Sequence, residues 1–400
     1  MTDLPELEAG LPAASLTPLT LVTPLAEAPA APPPPPPKPV LPDMPDTVVR
    51  VPVRWLMREG TGAVQYRAIV ELGKLKPAVD VQAVTLVQAS AIKCAVTMHL
   101  DGTWGGRLFP LPGAAPHTAT FSAFRHLLEC GWDRDSPPLA VSRRFLFRLL
   151  AMDDDPSMLY ELGGAAGTSK ELAKRLRAGI RIEAAALLAQ AGYERDPRVR
   201  GAAIRATQRV MDYLRSPLAS KPWIRVGNKQ VLASDAAPPT MSFLRMAAFM
   251  PELRTEYHMG MELLGKHLMQ AEPRQEPVQQ IEGLLVSVPN AVLGDRLPHR
   301  NALEADVPAA LHWLEIVVRL GVFRRHEPWI KMFERFVESA DRYGVWHPMK
   351  GDEMPATTAP DLIGWYPLED QSTEGERRWS DVTLRVSLIA KLIGRDLTLV

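Results

Sequence analysis

The sequence predicts an all-α chain of about five or six helical hairpins behind a proline-rich tail. Two observations carry that prediction. First, an apolar helical stretch repeatedly ends near a glycine, a polar turn with proline follows, and a second helical stretch begins. The copies are LLECGWDRDSPPLAVSRRFLFRLL around Gly131, LLAQAGYERDPRVRGAAIRATQRVMDYL around Gly192 and VVRLGVFRRHEPWIKMFERFV around Gly321. A fainter copy sits at Gly73, and the last helix ends at Gly394. The glycines at 73, 131 and 192 are about 60 residues apart, and the turn near Met250 continues the step. Such repeats mean one supersecondary unit stacked on its neighbours. Second, strand signals are scarce: PWIRVGNKQVLA, with Gly227-Asn228 at its centre, is the one hairpin candidate.

The elements follow in order. Residues 1–48 hold about a third of the 38 prolines, including Pro32 to Pro37. Proline fixes φ and removes a donor, so a disordered tail with polyproline II character is expected. Its apolar groups could dock to a partner, or it is a solvated spacer. Residues 49–400 form the predicted folded domain. Val64, Ala68, Ile69 and Leu72 recur at helical spacing, and Gly73 suits a left-handed helix end. A second helix is expected over 79–98, then a loop, DGTWGGRLFPLP. The next pairs cover about 122–129 with 138–150, 170–190 with 197–214, 240–248 with 253–269, and 307–320 with 328–342. Asp196 and Pro197 fit a cap and first turn. A last helix covers 380–393, capped by Ser380 or Asp381. The stretches 273–308 and 350–378 read as long loops. The first repeat and the last helix are as apolar as the middle, which favours closure of the array into a ring, because an open solenoid needs polar ends.

Lysine plus arginine equal aspartate plus glutamate at 46 each, so no global field attracts nucleic acid. Cys94 and Cys130 lack metal spacing and read as buried free thiols of a reducing compartment. The acidic N-terminus MTDLPELEAG is unlike a secretory signal, and no apolar run is long enough to span a bilayer. The expected location is cytoplasmic. Motifs for nucleotide binding and for serine hydrolysis are absent. His258 and His267 are nine residues apart, which does not place two ligands on one helix face. No metal site and no cofactor are expected.

The loop DGTWGG, at Asp101 to Gly106, resembles the Gly/Trp turn of the squalene-hopene cyclase and prenyltransferase-repeat superfamily. The turns GWDRD and GYERDPRV are similar to its inter-helix turns, and WLMREGTGAVQYRAIVELG is similar to the start of uncharacterised bacterial members. The resemblance implies an α/α toroid and an apolar ligand or protein partner in its centre. The DxDD motif by which class II cyclases protonate their substrate does not occur here. The resemblance therefore implies binding without that chemistry. Two alternatives stand beside it: a divergent cyclase and a helical-repeat scaffold for a protein partner.

The candidate acids of a divergent cyclase are Asp153, Asp154 and Asp155. Clustered carboxylates raise one another's pKa, and a protonated member could protonate an alkene. The plainer account is a solvated turn beside Pro156. Candidate ligand-binding aromatics are Trp104, in the DGTWGG loop, and Trp346, Trp365 and Tyr366 in the C-terminal loops. Their π faces suit cations and apolar groups, or they anchor loops by packing.

Overall fold

The computed structural model describes residues 48–73, 85–86, 88–110, 118–151, 167, 169–297, 306–348, 368 and 379–400. Among these, thirteen α-helices and six strands alternate along residues 48–400. Two sheets overturn the all-α expectation.

The chain begins with β1 (Val49–Val51), α1 (Val53–Glu59) and α2 (Gly62–Arg67), which tightens into a π turn over Ala68–Leu72. Then come α3 (Ala89–Val96), α4 (Thr120–Glu129), α5 (Pro137–Ala151), α6 (Lys170–Gln190) and α7 (Pro197–Arg215). A hairpin of β2 (Trp223–Val226) and β3 (Lys229–Leu232) follows, with α8 (Met241–Ala248), α9 (Pro251–Glu256) and α10 (His258–Leu268). The rest comprises β4 (Val278–Ile281), β5 (Leu284–Ser287), α11 (Val307–Arg319), α12 (Glu327–Glu338), α13 (Ser380–Ile393) and β6 (Leu397–Leu399).

Helix ends obey local chemistry. Ser169, Asp196, Thr240 and Asp306 cap α6, α7, α8 and α11 by accepting a first-turn N–H. Gly131, Gly192, Gly321 and Gly394 take φ near +80°, the left-handed value that glycine adopts without a Cβ clash. Gly73 differs from expectation: its φ is −76°, because the preceding π turn ends with Gly73 N–H donating to the Ala68 carbonyl. The expected single helix over 253–269 divides at Tyr257 into α9 and α10. The last helix is not capped by Ser380 or Asp381. Asp381 is fully buried and accepts instead from Arg385 Nε at 2.7 Å and Leu368 N at 3.1 Å.

The helices form a circuit of neighbours. α2 packs on α13, α13 on α11, α11 on α8, α8 on α6 and α6 on α4. Arg67 of α2 reaches Glu129 of α4 at 2.8 Å, which closes the circuit. α5 and α7 pack on α6, α3 on α4 and α12 on α13. One continuous apolar core runs through all of these helices, with Trp104, Trp313, Trp329 and Trp346 almost completely buried. Each such side chain contributes ~1.5–3 kcal/mol relative to exposure. Asp295 ties part of that core together, accepting from Trp313 Nε1 at 2.8 Å and Trp329 Nε1 at 2.9 Å.

The sheets supply what the helical reading omitted. β1 and β6 pair in parallel, Val49 opposite Leu397, and join the two ends of residues 48–400. Three residues are too few to leave a periodic signal. The hairpin expected at Gly227-Asn228 is present as β2 and β3, with Gly227 at φ +59°. It continues through a parallel contact of Leu232 with Gln279 into β4 and β5, where a loop was expected. The buried face of β4 is Gln279 and Ile281, so a glutamine hides the apolar alternation. Gln279 Nε2 donates to the carbonyls of Ala233 at 2.9 Å and Ala236 at 2.6 Å, which locks the two hairpins together. The turn of the second hairpin has Glu282 at φ +46° and Gly283 at +83°. Glu282 accepts from Ser169 Oγ at 2.6 Å, so the hairpin is fastened to the start of α6.

Candidate ligand-binding cleft

Charged side chains occupy the buried faces of the inner helices, where arginine and glutamate persist only when paired. On one side, Glu129 of α4 accepts from Arg67 at 2.8 Å and from Gln190 Nε2 at 2.9 Å, and pairs with Arg385 at 3.4 Å. Arg385 also binds Asp381. Burial pushes the Glu129 carboxyl up, but Arg67 and Arg385 outweigh it and hold the pKa at about 2. On the other side, Glu183 of α6 accepts from Arg125 of α4 at 2.5 Å and pairs with Arg245 of α8 at 3.6 Å. Burial again opposes ionisation. Arg245, Arg125 and the Ser242 hydroxyl prevail, and the Glu183 pKa falls to about 2. His312 of α11 is kept neutral, first by burial and then by the charges of Arg245 and Arg125. Its Nε2 is buried with no hydrogen-bond partner among the described residues.

Glu183, Arg125 and Arg245 form part of the wall of a cleft of about 420 Å³. That volume lies in the ~300–1,000 Å³ range of small-molecule sites. The cleft is bounded by α4, α6, α7, α8 and the sheet of β4 and β5. Its apolar surface comes from Phe121, Leu176, Ile180, Val210, Phe243 and Ile281. Amphipathic helices present those faces because their apolar residues recur every three or four positions. Gly179 also lines the cleft, in the middle of α6. A Cβ built there meets nothing within 4 Å. Glycine inside a helix costs ~0.5–1 kcal/mol relative to alanine. Here it leaves open space beside the apolar wall. Arg175 of α6 and Arg209 of α7 complete the lining.

Of the expected site residues, Trp104 and Trp346 lie outside the cleft. Trp104 is fully buried, donates from Nε1 to the Cys94 carbonyl at 2.6 Å, and does not line the cleft. Asp101 accepts from the Thr103 N–H and hydroxyl within its own turn. Trp346 borders a separate cavity of about 230 Å³ between β1, α12 and α13. Asp153, Asp154, Asp155, Trp365 and Tyr366 fall outside the described residues. Of the expected site residues that are described, Trp104 and Trp346 lie in different parts of the fold. His267 is buried, with Nε2 3.0 Å from the Val292 carbonyl. No group of three or more His, Cys, Asp or Glu among the described residues could hold a metal ion. No described helix is long and apolar enough to cross a membrane.

The residues that build the cleft were missed, although they left a signal. Glu183 stands in IEAAALLA and Arg245 in FLRMAAFM. A lone charge inside an apolar helical run marks a position that must be paired inside the fold. Only the packing of α4, α6 and α8 shows which charges meet. Comparison of the chain with protein-family models, with curated proteins and with solved structures finds no match.

Proposed function

We propose that this protein binds an apolar small molecule in the cleft between α4, α6, α7, α8 and the four-stranded sheet. One observation carries the reading: an apolar cavity of about 420 Å³ converges on a few buried polar groups, Arg125, Glu183, Arg245 and Gln279. Such a combination is the usual form of a ligand site, with apolar walls for affinity and sparse polar groups for orientation. Gly179 supports it, since a helix-weakening residue is kept where its missing side chain leaves room. The resemblance of the DGTWGG loop to the cyclase superfamily points to the same ligand class. Native mass spectrometry of the protein purified from its own host tests the reading. A co-purifying apolar mass that is lost in Gly179→Phe supports it. A ligand-free mass, with no uptake of added hydrophobic dyes, overturns it.

A second reading, a scaffold for an acidic protein segment, is favoured by charge on the outer helices. α5 carries three arginines and no acid, and α7 carries five arginines against Asp212 alone. In this reading the guanidiniums stacked on Phe147 and Tyr193 form the docking face. A stoichiometric acidic partner on affinity purification, lost on reversal of the α7 charges, would favour it over the first.

A further inference from the structure

We infer that the cleft takes an amphiphile with one oxyanion head group, carboxylate or phosphate, held by Arg175 and Arg209 while the apolar body lies against α4, α8 and the sheet. The inference rests on the reading of the cleft as a ligand site. Charge complementarity is the argument. Among the described residues the cleft is lined by four arginines, 125, 175, 209 and 245, and by a single carboxylate, Glu183. Glu183 lies with Arg125 and Arg245, which leaves the other two guanidiniums without a carboxylate inside the cleft.

Arg175 donates from Nε to Glu171 at 2.8 Å and from Nη2 to the Ser234 carbonyl at 2.7 Å. These two bonds hold the guanidinium in place. Its Nη1 is shut from solvent and has no hydrogen-bond partner among the described residues. A buried donor without an acceptor is costly unless a ligand supplies one. Arg209, on the adjacent helix, makes no ion pair among the described residues and lines both the cleft and a shallow outer groove, so it stands at the rim. Its pKa is lowered by burial and then by the Arg175 charge, with Glu171 opposing. Asp212 and Asp235 line the outer groove with Arg209 but not the cleft, so on the cleft side the two neighbouring guanidiniums form a fork for a planar or tetrahedral oxyanion. The apolar side chains beyond them require that the rest of the ligand be uncharged.

The test uses the full chain and a fluorescent polyene fatty acid against its methyl ester. The acid should bind about tenfold more tightly than the ester, a difference set by the charge-assisted bonds alone. In Arg175→Gln/Arg209→Gln the acid should lose its advantage and bind no more tightly than the ester. Displacement of the acid by dodecyl phosphate at lower concentration than by dodecanoate assigns a phosphate head, and the reverse a carboxylate. Both support the inference. Equal binding of acid and ester to the unaltered protein overturns the head group and leaves the apolar site standing. Binding of neither overturns both. A preference for the acid that survives the double substitution overturns the placement at Arg175 and Arg209.

Discussion

Glu129 and Glu183 occupy similar settings, one on α4 and one on α6, each set between two buried arginines. Their bonding differs. Glu129 has both oxygens engaged, with Gln190 on one, and Arg67 and Arg385 on the other. Glu183 holds Arg125 tightly and accepts from the Ser242 hydroxyl, but Arg245 stands off at 3.6 Å, and the cleft opens beside them. The same three-group motif therefore does two jobs. Where protein groups use the bonding capacity of the carboxylate, the cluster fixes the arrangement of helices. Where slack remains next to an apolar cavity, the cluster borders the space in which the proposed ligand would lie.

The largest expected effect separates the two clusters by stability. Glu129→Gln removes the carboxylate that two buried guanidiniums share, although Arg67 keeps Glu71 and Arg385 keeps Asp381, and should cost roughly 3 kcal/mol in urea unfolding. Glu183→Gln should cost less, roughly 1.5–3 kcal/mol, because Arg125 is the one arginine bonded closely to it. Equal losses would erase the contrast.

Acid sharpens the same comparison. Both carboxyls are held at about 2 in the fold, below an ordinary value of 4.5. A depressed folded pKa gives stability that is complete above the unfolded value and is lost as pH falls through the folded one. Each carboxylate should contribute on the order of 3 kcal/mol at neutral pH, fading between pH 4.5 and 2. Unfolding free energies measured across that window should fall more steeply for the unaltered protein than for Glu129→Gln. Parallel curves would show that Glu129 is not the acid-sensitive group.

A smaller effect has the opposite sign. Gly179→Ala should raise stability by ~0.5–1 kcal/mol, since the added methyl meets open space and the helix gains propensity. It should also weaken ligand uptake by narrowing the cleft, and Gly179→Phe should abolish uptake. A gain in stability with unchanged binding would move the ligand away from α6. The smallest effect concerns the thiols. Burial pushes the Cys94 thiol up to about 12 and raises Cys130 as well. Neither should react with a disulfide reagent at pH 8 until denaturant is added, and rapid labelling of the native protein would show an opening near α3 and α4.

Much of the helical frame was legible in the residues. The Gly-turn repeats located the pairs α4–α5, α6–α7 and α11–α12, because left-handed glycines and proline first turns are local requirements. The Gly-Asn turn located β2 and β3 for the same reason. The strands β1, β4, β5 and β6 were not legible. Each is three or four residues long; β1 and β6 pair only with each other, from opposite ends of the folded residues, and in the β4–β5 hairpin Gln279 breaks the apolar alternation. The candidate site was less legible still. Trp104 drew attention as an aromatic in a glycine-rich loop, yet it is core, while Arg175, Gly179 and Glu183 looked like ordinary members of a long amphipathic helix.

What the sequence alone determined is local: which segments coil, where they stop, and which side chains face inward, since periodicity, caps and glycine φ act within a few residues. The tertiary structure decided which inward-facing charges meet, where two hairpins fuse into one sheet, and where a cavity remains. Those depend on contacts between α4, α6, α8 and β4, more than 100 residues apart at their extremes, and no local signal specifies the geometry of such contacts.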